Sequence, residues 1–584
     1  MMGQGVQDPR PRPPGAPARS ERPSRGREPS PTGVPTWLRT DDDPDGALAA
    51  WVHAAGETVR GVLVIAPPMG REHVISYRTV RTLCCRAAQA GLAAVRFDWT
   101  GHGDSRESRP GADLAARWTA DLEAVVRHAR AAAPGVPVTV VGLRLGAAVA
   151  ASARWADGPA EAARVTGAPG DDVRLIGWAP VSGRAFLREH AALRRISLPE
   201  VPPAPAESGT EISGDLLDPE QAASLSRLRA PRSSDESMTV LAAQPGEELA
   251  WAAAFRYARV PAGALTAILE RVARCDRPRP LRWPRQRSVM QPVRGGAPEG
   301  VVETWTAVGT SGIWGVAVDP LDGIARRSVV FIAPDAEPRH GPSRLWTRVA
   351  RPLAQHGCSS LRADRTGTGD SADPEELGEP NPYAEQTVRD VSAAICHQSA
   401  AHGAPVSAAG LCAGAWAVAR AAAQVPVDEL ILINNAAWSA DPRAYRRLYQ
   451  DSPVTAALGG GQELAQAPDS PRARIYRALK TAHRHAALSA PRPLRRIGQR
   501  FGVLEDALGL LPPDLRAGRV SVWSMAGDLE ALARAGGRRA MRAWRRAGPP
   551  VVLRPLTVPD HALLSAAARG DVHRALTRQL GSGS

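Results

Sequence analysis

Lysine is almost absent from this chain of 584 residues. Lys480 is the only one, so nearly all of the 73 basic residues are arginine, against 59 acidic residues and a formal net charge of +14. Such a charge ordinarily indicates nucleic acid or an anionic membrane as a partner. Alanine, glycine and proline are abundant as well, and this combination is typical of a GC-rich genome. We therefore expect no nucleic-acid partner.

Cysteine and long apolar runs are scarce too. The six cysteines form no C-x-x-C pair and no zinc-type spacing with histidines, so we expect neither a disulfide framework nor a metal or other cofactor. No run of about 18 apolar residues predicts a transmembrane segment. The first 40 residues lack the apolar region of a secretory signal and are rich in Pro, Arg, Gly and Ser. We expect residues 1–40 to be a disordered tail and the protein to be cytoplasmic.

Short apolar segments alternate with helical stretches in the first half of the sequence. This alternation predicts βαβ units and a mostly parallel sheet. The predicted strands are Val62–Ala66, Ala93–Phe97, Val138–Val141 and Val173–Gly177.

The same succession returns in the second half. Arg362–Ser371 repeats the pattern of Arg96–Ser105 after 266 residues, and Gly410–Gly414 repeats Gly142–Gly146 after 268. A period this long indicates duplication of a whole domain, since solenoid repeats are far shorter. We expect two α/β domains, at 41–275 and 298–584, packed against each other within the chain and joined by a Pro-, Arg- and Gly-rich linker at 276–297.

Both halves combine a D-x-x-G-x-G-D-S turn with a later strand, a G-x-x-x-G turn and a helix. This combination resembles α/β-hydrolases of the serine aminopeptidase-like group. Through Gly341–Trp346, Asp364–Ser371 and Gly410–Gly414, the second half resembles bacterial hydrolases associated with exopolysaccharide and exosortase systems. The resemblance implies two doubly wound, mostly parallel sheets, with a helical lid in the second domain. The Asp-Ser turn itself is interpreted as structural, because its glycines allow positive φ.

Gly410-Leu-Cys-Ala-Gly414 is the candidate catalytic turn. In this fold the nucleophile lies on a sharp strand-to-helix turn, and flanking glycines leave room for its strained backbone. We predict Cys412 as the nucleophile, since a thiol can be deprotonated by a neighbouring imidazole. The N–H of Ala413 is expected to stabilise the oxyanion, with a second donor at Asp335 or Ala336.

Arg144 holds the corresponding position in the first half. A guanidinium stays protonated and cannot accept an acyl group. Val260–Leu269 stands where the general base belongs, and it contains no histidine. We therefore predict a first domain without this chemistry, and leave open whether Arg144 binds an anion.

The expected order of catalytic residues in the second half is nucleophile, acid, histidine. Met525–Asp528 is predicted as a turn after the strand Val520–Ser524, which gives Asp528 the position of the acid. Asp560 and Glu530 are its nearby competitors. His561 follows the last predicted strand and is the candidate general base, with Asp528 fixing its tautomer.

Further residues are candidates for the substrate pocket. His340 lies near the predicted oxyanion loop, and Trp416 and Trp438 flank the predicted site, although burial in the core is an equal alternative for both tryptophans. A lid is predicted at about 439–517. Its arginines are interpreted first as a solvated helix face, with an anionic substrate or an anionic membrane surface as the alternative.

The leading hypothesis is a hydrolase of an ester or thioester, acting on a small-molecule or carrier-linked acyl substrate through an acyl-cysteine. An acyltransferase working through the same intermediate remains open. So does a catalytically inactive binding or scaffold protein.

Overall fold

The computed structural model describes most of the chain outside the N-terminal segment and the predicted lid. The described residues are 33–40, 46–155, 173–234, 237–252, 258–293, 299–309, 312–371, 382–435, 514–534 and 537–581, with the isolated residues 491, 493, 494 and 497. Within these ranges, none of the helices has both the length and the apolar content that a membrane span requires.

The first half, residues 33–275, contains a seven-stranded sheet in the order β1-β2-β5-β4-β6-β7-β10. Its strands are β1 Val34–Arg39, β2 Ala47–His53, β3 Thr58–Val59, β4 Val62–Ala66, β5 Ala93–Phe97, β6 Val138–Leu143, β7 Val173–Trp178, β8 Thr210–Ile212, β9 Asp215–Leu217 and β10 Thr239–Leu241. Its helices are α1 Gly70–Gln89, α2 Leu114–Ala132, α3 Leu145–Ser152, α4 Gly183–Ser197, α5 Pro219–Ser226 and α6 Ala262–Arg271.

The second half, residues 276–581, contains a nine-stranded sheet in the order β12-β13-β14-β16-β15-β17-β18-β19-β20. Its strands are β11 Arg279–Pro280, β12 Ser288–Pro292, β13 Gly300–Val308, β14 Ile313–Asp319, β15 Arg327–Ile332, β16 Cys358–Ala363, β17 Val406–Leu411, β18 Val427–Ile433, β19 Ala517–Met525 and β20 Val551–Leu556. Its helices are α7 Leu345–Gln355, α8 Glu385–His402, α9 Ala413–Ala421, α10 Ala526–Arg534, α11 Gly537–Ala547 and α12 Ala566–Gly581.

The two sheets have the same central pairing. In each, one antiparallel junction, β2 with β5 or β14 with β16, leads into a run of parallel strands. Every residue of β4 and of β6 is buried, as expected for parallel strands covered by helices on both faces. The predicted α/β fold with mostly parallel sheets is confirmed.

The predicted segment boundaries differ from the observed elements at two places. Val34–Arg39 pairs with β2, so part of the segment predicted as a disordered tail is a strand of the first sheet. The predicted linker 276–297 contains β11, which pairs with β3 of the first half, and β12, which pairs with β13 of the second. Strand pairing supplies hydrogen-bond partners to backbone groups that an unpaired edge strand would leave open. Amino-acid composition alone does not reveal such pairing between distant segments.

A buried set of charged side chains connects the two halves. Arg96 of β5 is paired with Asp370 in the Asp-Ser turn of the second half, and Arg362 of β16 is paired with Asp104 in the equivalent turn of the first. Residues 362 and 370 lie 266 positions after 96 and 104, so the two ion pairs are reciprocal. The Asp-Ser turn, predicted only as a structural marker, therefore also joins the halves.

Arg339 lies at the centre of these contacts. Its guanidinium is 2.7 Å from Asp104 of the first half, 2.5 Å from Asp364 and 2.6 Å from Asp370. Burial opposes ionisation of Asp104, but Arg339 and Arg362 hold the pKa of its carboxyl below the usual value. Arg339 follows the loop after β15, so a first-half carboxylate anchors a segment beside the predicted oxyanion loop.

Candidate active site

Cys412 lies between β17 and α9 in a conformation that L-amino acids rarely adopt. Its φ is 52° and its ψ is −114°, and its backbone N–H donates to the carbonyl of Ile433 at 2.9 Å. The residue is 7% exposed. A positive φ in a non-glycine residue is costly and persists only where the surrounding structure holds it.

The flanking glycines explain how this turn is accommodated. A Cβ on Gly410 would lie 2.4 Å from the backbone of Gly414, and one on Gly414 would lie 2.6 Å from the carbonyl oxygen of Ile332. Both distances are too short for real contacts. The G-x-C-x-G pattern is therefore required by close backbone packing at the end of β15.

His561 connects the sulfur to a carboxylate. Its Nδ1 is 2.6 Å from Oδ2 of Asp528, and the Cys412 side chain lies close enough to influence the pKa of the ring. Because Nδ1 faces Asp528, Nε2 is the ring nitrogen left for the sulfur. Burial disfavours the imidazolium, but the adjacent Cys412 side chain and the hydrogen bond that His561 donates to Asp528 hold the pKa of His561 well above its usual value.

Asp528 lies in a different local structure from the one predicted. Asp528 belongs to the first turn of α10, which begins directly after β19, whereas Met525–Asp528 was predicted as a turn. Of the two competitors, Asp560 accepts a hydrogen bond from the N–H of Ser565 at 2.6 Å, and Glu530 is exposed. The helical periodicity of so short a segment is weak, which is why the sequence did not separate turn from helix.

Asn434 was missed by the sequence interpretation. Its Nδ2 donates to the carbonyl of His561 at 3.0 Å, and its Oδ1 accepts from the N–H of Met525 at 3.1 Å. The residue follows β18 with φ 45°, a conformation in which asparagine is favoured among non-glycine residues. Asn434 thus connects the loop of His561 to the end of β19, next to the helix of Asp528.

The predicted oxyanion donors lie at the expected ends of their elements. Ala413 is the first residue of α9, where backbone N–H groups have no acceptor within the helix. Asp335 follows β15 with φ 40°, and its carbonyl accepts a hydrogen bond from Arg365. Ala336 is the next residue.

The pocket candidates are not all brought to the sulfur. Trp416 is 1% exposed and packs edge-on against Tyr383 at 5.2 Å, within the core, so the alternative of core burial describes it better than a pocket wall. His340 is buried and stacks with His73 of the first half at 6.4 Å. Trp438 lies outside the described residues, as does almost all of the predicted lid.

Carboxylates surround the equivalent turn of the first half. Arg144 has φ 55° and ψ −119°, and its guanidinium is 2.9 Å from Glu72 and 3.0 Å from Glu189. His190 lies 3.4 Å from Glu72. These three partners were not identified from the sequence, because α1 and α4, which contain them, are distant from the turn along the chain. An added anion would compete with two carboxylates for Arg144.

Comparisons with known proteins agree with this fold. Residues 57–189 match the model of the serine aminopeptidase family S33. None of the curated proteins matches the chain. The matched residues include the turn of Arg144 and end before that of Cys412.

Three solved structures with similar folds each match about half of the chain. Dienelactone hydrolase from Anabaena variabilis is 15% identical and matches 48% of this chain and 95% of its own, with a TM-score of 0.28. Acetyl xylan esterase from Paenibacillus sp. is 14% identical over 50% and 87%, with a TM-score of 0.31. The thioesterase domain from the curacin biosynthetic pathway is 16% identical over 48% and 99%, with a TM-score of 0.27. Scores this low add nothing to the topology described above. The family match over residues 57–189 and the mostly parallel sheets together support an α/β-hydrolase fold.

Proposed function

We propose that the protein hydrolyses an ester or thioester through an acyl-cysteine intermediate. Cys412 is the nucleophile, His561 the general base and Asp528 the acid that orients it. The observation that supports this most directly is that Cys412 lies at a strained strand-to-helix turn beside His561, whose Nδ1 is hydrogen-bonded to Asp528. A buried packing cysteine requires no such partners.

The reaction begins when His561 Nε2 takes the proton of the Cys412 thiol. The thiolate attacks the acyl carbonyl, and the N–H of Ala413, with a second donor from the Asp335–Ala336 loop, stabilises the oxyanion. His561 then returns the proton to the leaving alcohol or thiol as the acyl-cysteine forms. Water, deprotonated by His561, attacks the acyl carbon and releases the acid and the free thiol.

Acyl transfer differs only in the second step, where an acceptor alcohol or amine replaces water. The same residues serve both reactions, and the acyl donor is a small molecule or a carrier-linked acyl group. The first half contributes no nucleophile in this proposal, because Arg144 cannot accept an acyl group. We further propose that the chain is a tandem of two such domains, one of them inactive by this mechanism.

The cysteines themselves provide a sharp test. Cys396 is exposed, whereas Cys412 is buried, so exposure alone predicts that an alkylating reagent labels Cys396 first. Burial raises the pKa of Cys84 and of Cys358 to about 12, which excludes both from fast labelling at neutral pH. If Cys412 is paired with His561, iodoacetamide labelling followed by peptide mapping finds Cys412 first.

Two variants make this test specific. His561→Ala should slow the labelling of Cys412 at least tenfold and leave Cys396 unchanged, because only Cys412 loses its imidazole partner. His397→Ala, beside Cys396, serves as the matched control and should leave Cys412 unchanged. Labelling that follows exposure in all three proteins would contradict the assignment of Cys412 as an activated nucleophile.

A further inference from the structure

A cavity of about 50 Å³ lies at the junction of the two halves. The first half contributes the start of α1, the turn at 101–103 and the hairpin of β8 and β9. The second half contributes the segment from β15 into α7 and the loop of His561. The polar side chains that line it are Arg71, His73, His102, Ser213, Asp215, Glu337, His340, Ser343, Arg344 and Arg348. Leu564, three residues after His561, also lines it.

Some residues that line the cavity occupy equivalent positions in the two halves of the chain. Arg71 and Glu337 are 266 residues apart, as are the reciprocal ion pairs, and both line it. The same offset relates Val74 to His340 and His102 to Thr368. The cavity therefore exists only where both halves meet, and its two walls differ in chemistry.

Several buried polar atoms of the lining have no hydrogen-bond partner among the described residues. They are both ring nitrogens of His102, Nε2 of His340 and Oε2 of Glu337. His102 is 8% exposed and His340 is 3% exposed. A buried polar group without a partner is costly, and native proteins leave few of them.

The chemistry of these atoms is specific. Burial lowers the pKa of His102 and of His340 to about 4, so both rings are neutral at neutral pH. His340 Nδ1 is 3.2 Å from the carbonyl of Gly341, which can only accept, so Nε2 of His340 is an acceptor. A neutral His102 offers one donor and one acceptor. Burial raises the pKa of Glu337 to about 8, so its carboxyl offers a donor as well.

We propose that this cavity binds a vicinal diol, the group shared by glycerol and by sugars. Each hydroxyl both donates and accepts, which matches the mixture of acceptor and donor atoms on His340, His102 and Glu337. Water needs about 10–15 Å³ of such space, so 50 Å³ holds roughly three to five atoms of that size, which matches the two carbons and two oxygens of the diol group alone. The proposal concerns binding alone and does not depend on Cys412 being a nucleophile.

An anion fits the cavity less well. Arg344 is already paired with Glu107 at 2.7 Å, and Arg348 faces Asp215 at 3.9 Å. The acceptor Nε2 of His340 would face the anion unfavourably. Inorganic phosphate is therefore the probe for the competing class.

The test measures binding of small probe molecules to the full-length protein by saturation-transfer NMR. Glycerol and methyl glucoside are the two diol probes, propan-1-ol is the single-hydroxyl control and inorganic phosphate the anionic one. We expect saturable binding of at least one diol and no binding of propan-1-ol or phosphate. Tighter binding of the glucoside identifies a sugar, and binding of glycerol alone identifies a free polyol.

The variants exchange residues between equivalent positions of the two halves. His340→Val and His102→Thr each introduce the residue of the other half, and each should weaken diol binding about tenfold by removing one hydrogen-bond partner. His356→Gln, at an exposed position outside the cavity, is the control and should change nothing.

If either variant fails to fold, the 15N resonance of His340 Nε2 in the unaltered protein provides a second readout, because diol binding must shift it. The proposal is overturned if no diol binds, if phosphate binds instead, or if binding is indifferent to both histidines and leaves that resonance unmoved.

Discussion

The turns of Arg144 and Cys412 have nearly the same backbone and different side-chain surroundings. Their φ angles are 55° and 52°, and their ψ angles are −119° and −114°. In the first half the guanidinium is paired with two carboxylates, and in the second the sulfur faces an imidazole backed by a carboxylate. The strained turn therefore depends on the flanking glycines and persists without a nucleophile, so backbone strain alone does not indicate catalysis.

The sheets differ at the edge where the histidine belongs. In the second half β20 pairs with β19 and leads into the loop of His561. In the first half β10 is the last strand of its sheet, and no strand beyond it is found among the described residues. Within the described part of the first half, β20 therefore has no counterpart in the sheet.

The largest expected effect concerns the two turns. Cys412→Ala should reduce turnover of a chromogenic short-chain ester or thioester by at least about 10³-fold, because it removes the group that forms the acyl intermediate. Arg144→Ala should change turnover less than about twofold, because Arg144 forms no acyl intermediate. Initial rates of both variants, with thermal melting to check folding, measure this contrast. Equal loss in both would mean that the halves contribute alike and would refute the assignment.

The next effect concerns what holds the halves together. Asp104→Asn leaves Arg339 and Arg362 buried with less opposing charge, which should cost about 3–5 kcal/mol in the free energy of unfolding. Asp113→Asn weakens an exposed pair with Arg227 and should cost at most about 1 kcal/mol. Asp370→Asn, the counterpart in the second half, should behave like Asp104→Asn.

The pH dependence of this effect has a definite sign. The pKa of Asp104 is lowered in the folded protein, so its contribution is complete above the unfolded value of about 3.9 and is lost as the pH falls through the folded pKa. Urea unfolding at pH 7 should show the full difference between the original protein and Asp104→Asn, and acidification should reduce it. A difference no larger than that of Asp113→Asn at pH 7 would show that the reciprocal pairs do not hold the halves.

A smaller effect compares equivalent residues after β7 and β18. Ala179 and Asn434 both have positive φ, and their N–H groups donate to β10 and β19 at 2.8 Å. Only the asparagine reaches the histidine loop. Asn434→Ala should lower kcat about tenfold with little change in KM, since the loop of His561 loses a tether and orientation affects the transition state. Ala179→Asn should leave both constants unchanged. A change in KM alone would contradict a positioning role.

The sequence predicted the parts of the fold that depend on local pattern. Apolar runs located β4 and β5 to the residue, and the glycines at 410 and 414 marked the turn of Cys412. His561 and Asp528, although predicted in chain order, depend for their contact on the pairing of β19 with β20, which the sequence leaves implicit.

Contacts between distant segments were beyond the sequence interpretation. Arg339 and Asp104 lie 235 positions apart, and the local pattern around neither residue indicates the other as its partner. Glu72 and Glu189 join Arg144 from helices that pack only in the folded chain. Such partners are set by tertiary packing, for which local periodicity has no signal.

The last comparison concerns Arg71 and Glu337, a basic and an acidic residue at equivalent positions in the two halves. Burial raises the pKa of Glu337 to about 8 despite the nearby Arg71. In the unfolded chain the pKa of a glutamate is about 4.3. Between pH 4.3 and the folded pKa of about 8, the folded protein binds more protons than the unfolded chain, so the folded protein loses stability as the pH rises. Glu337→Gln removes this loss, and its stability relative to the original protein should increase from pH 5 to pH 8.5. Urea midpoints at both pH values measure the change, with the exposed Glu57→Gln as control. A constant gap between the two proteins would mean that Glu337 ionises normally, and the junction would then present an ordinary salt-bridging carboxylate to Arg71 instead of a protonated one.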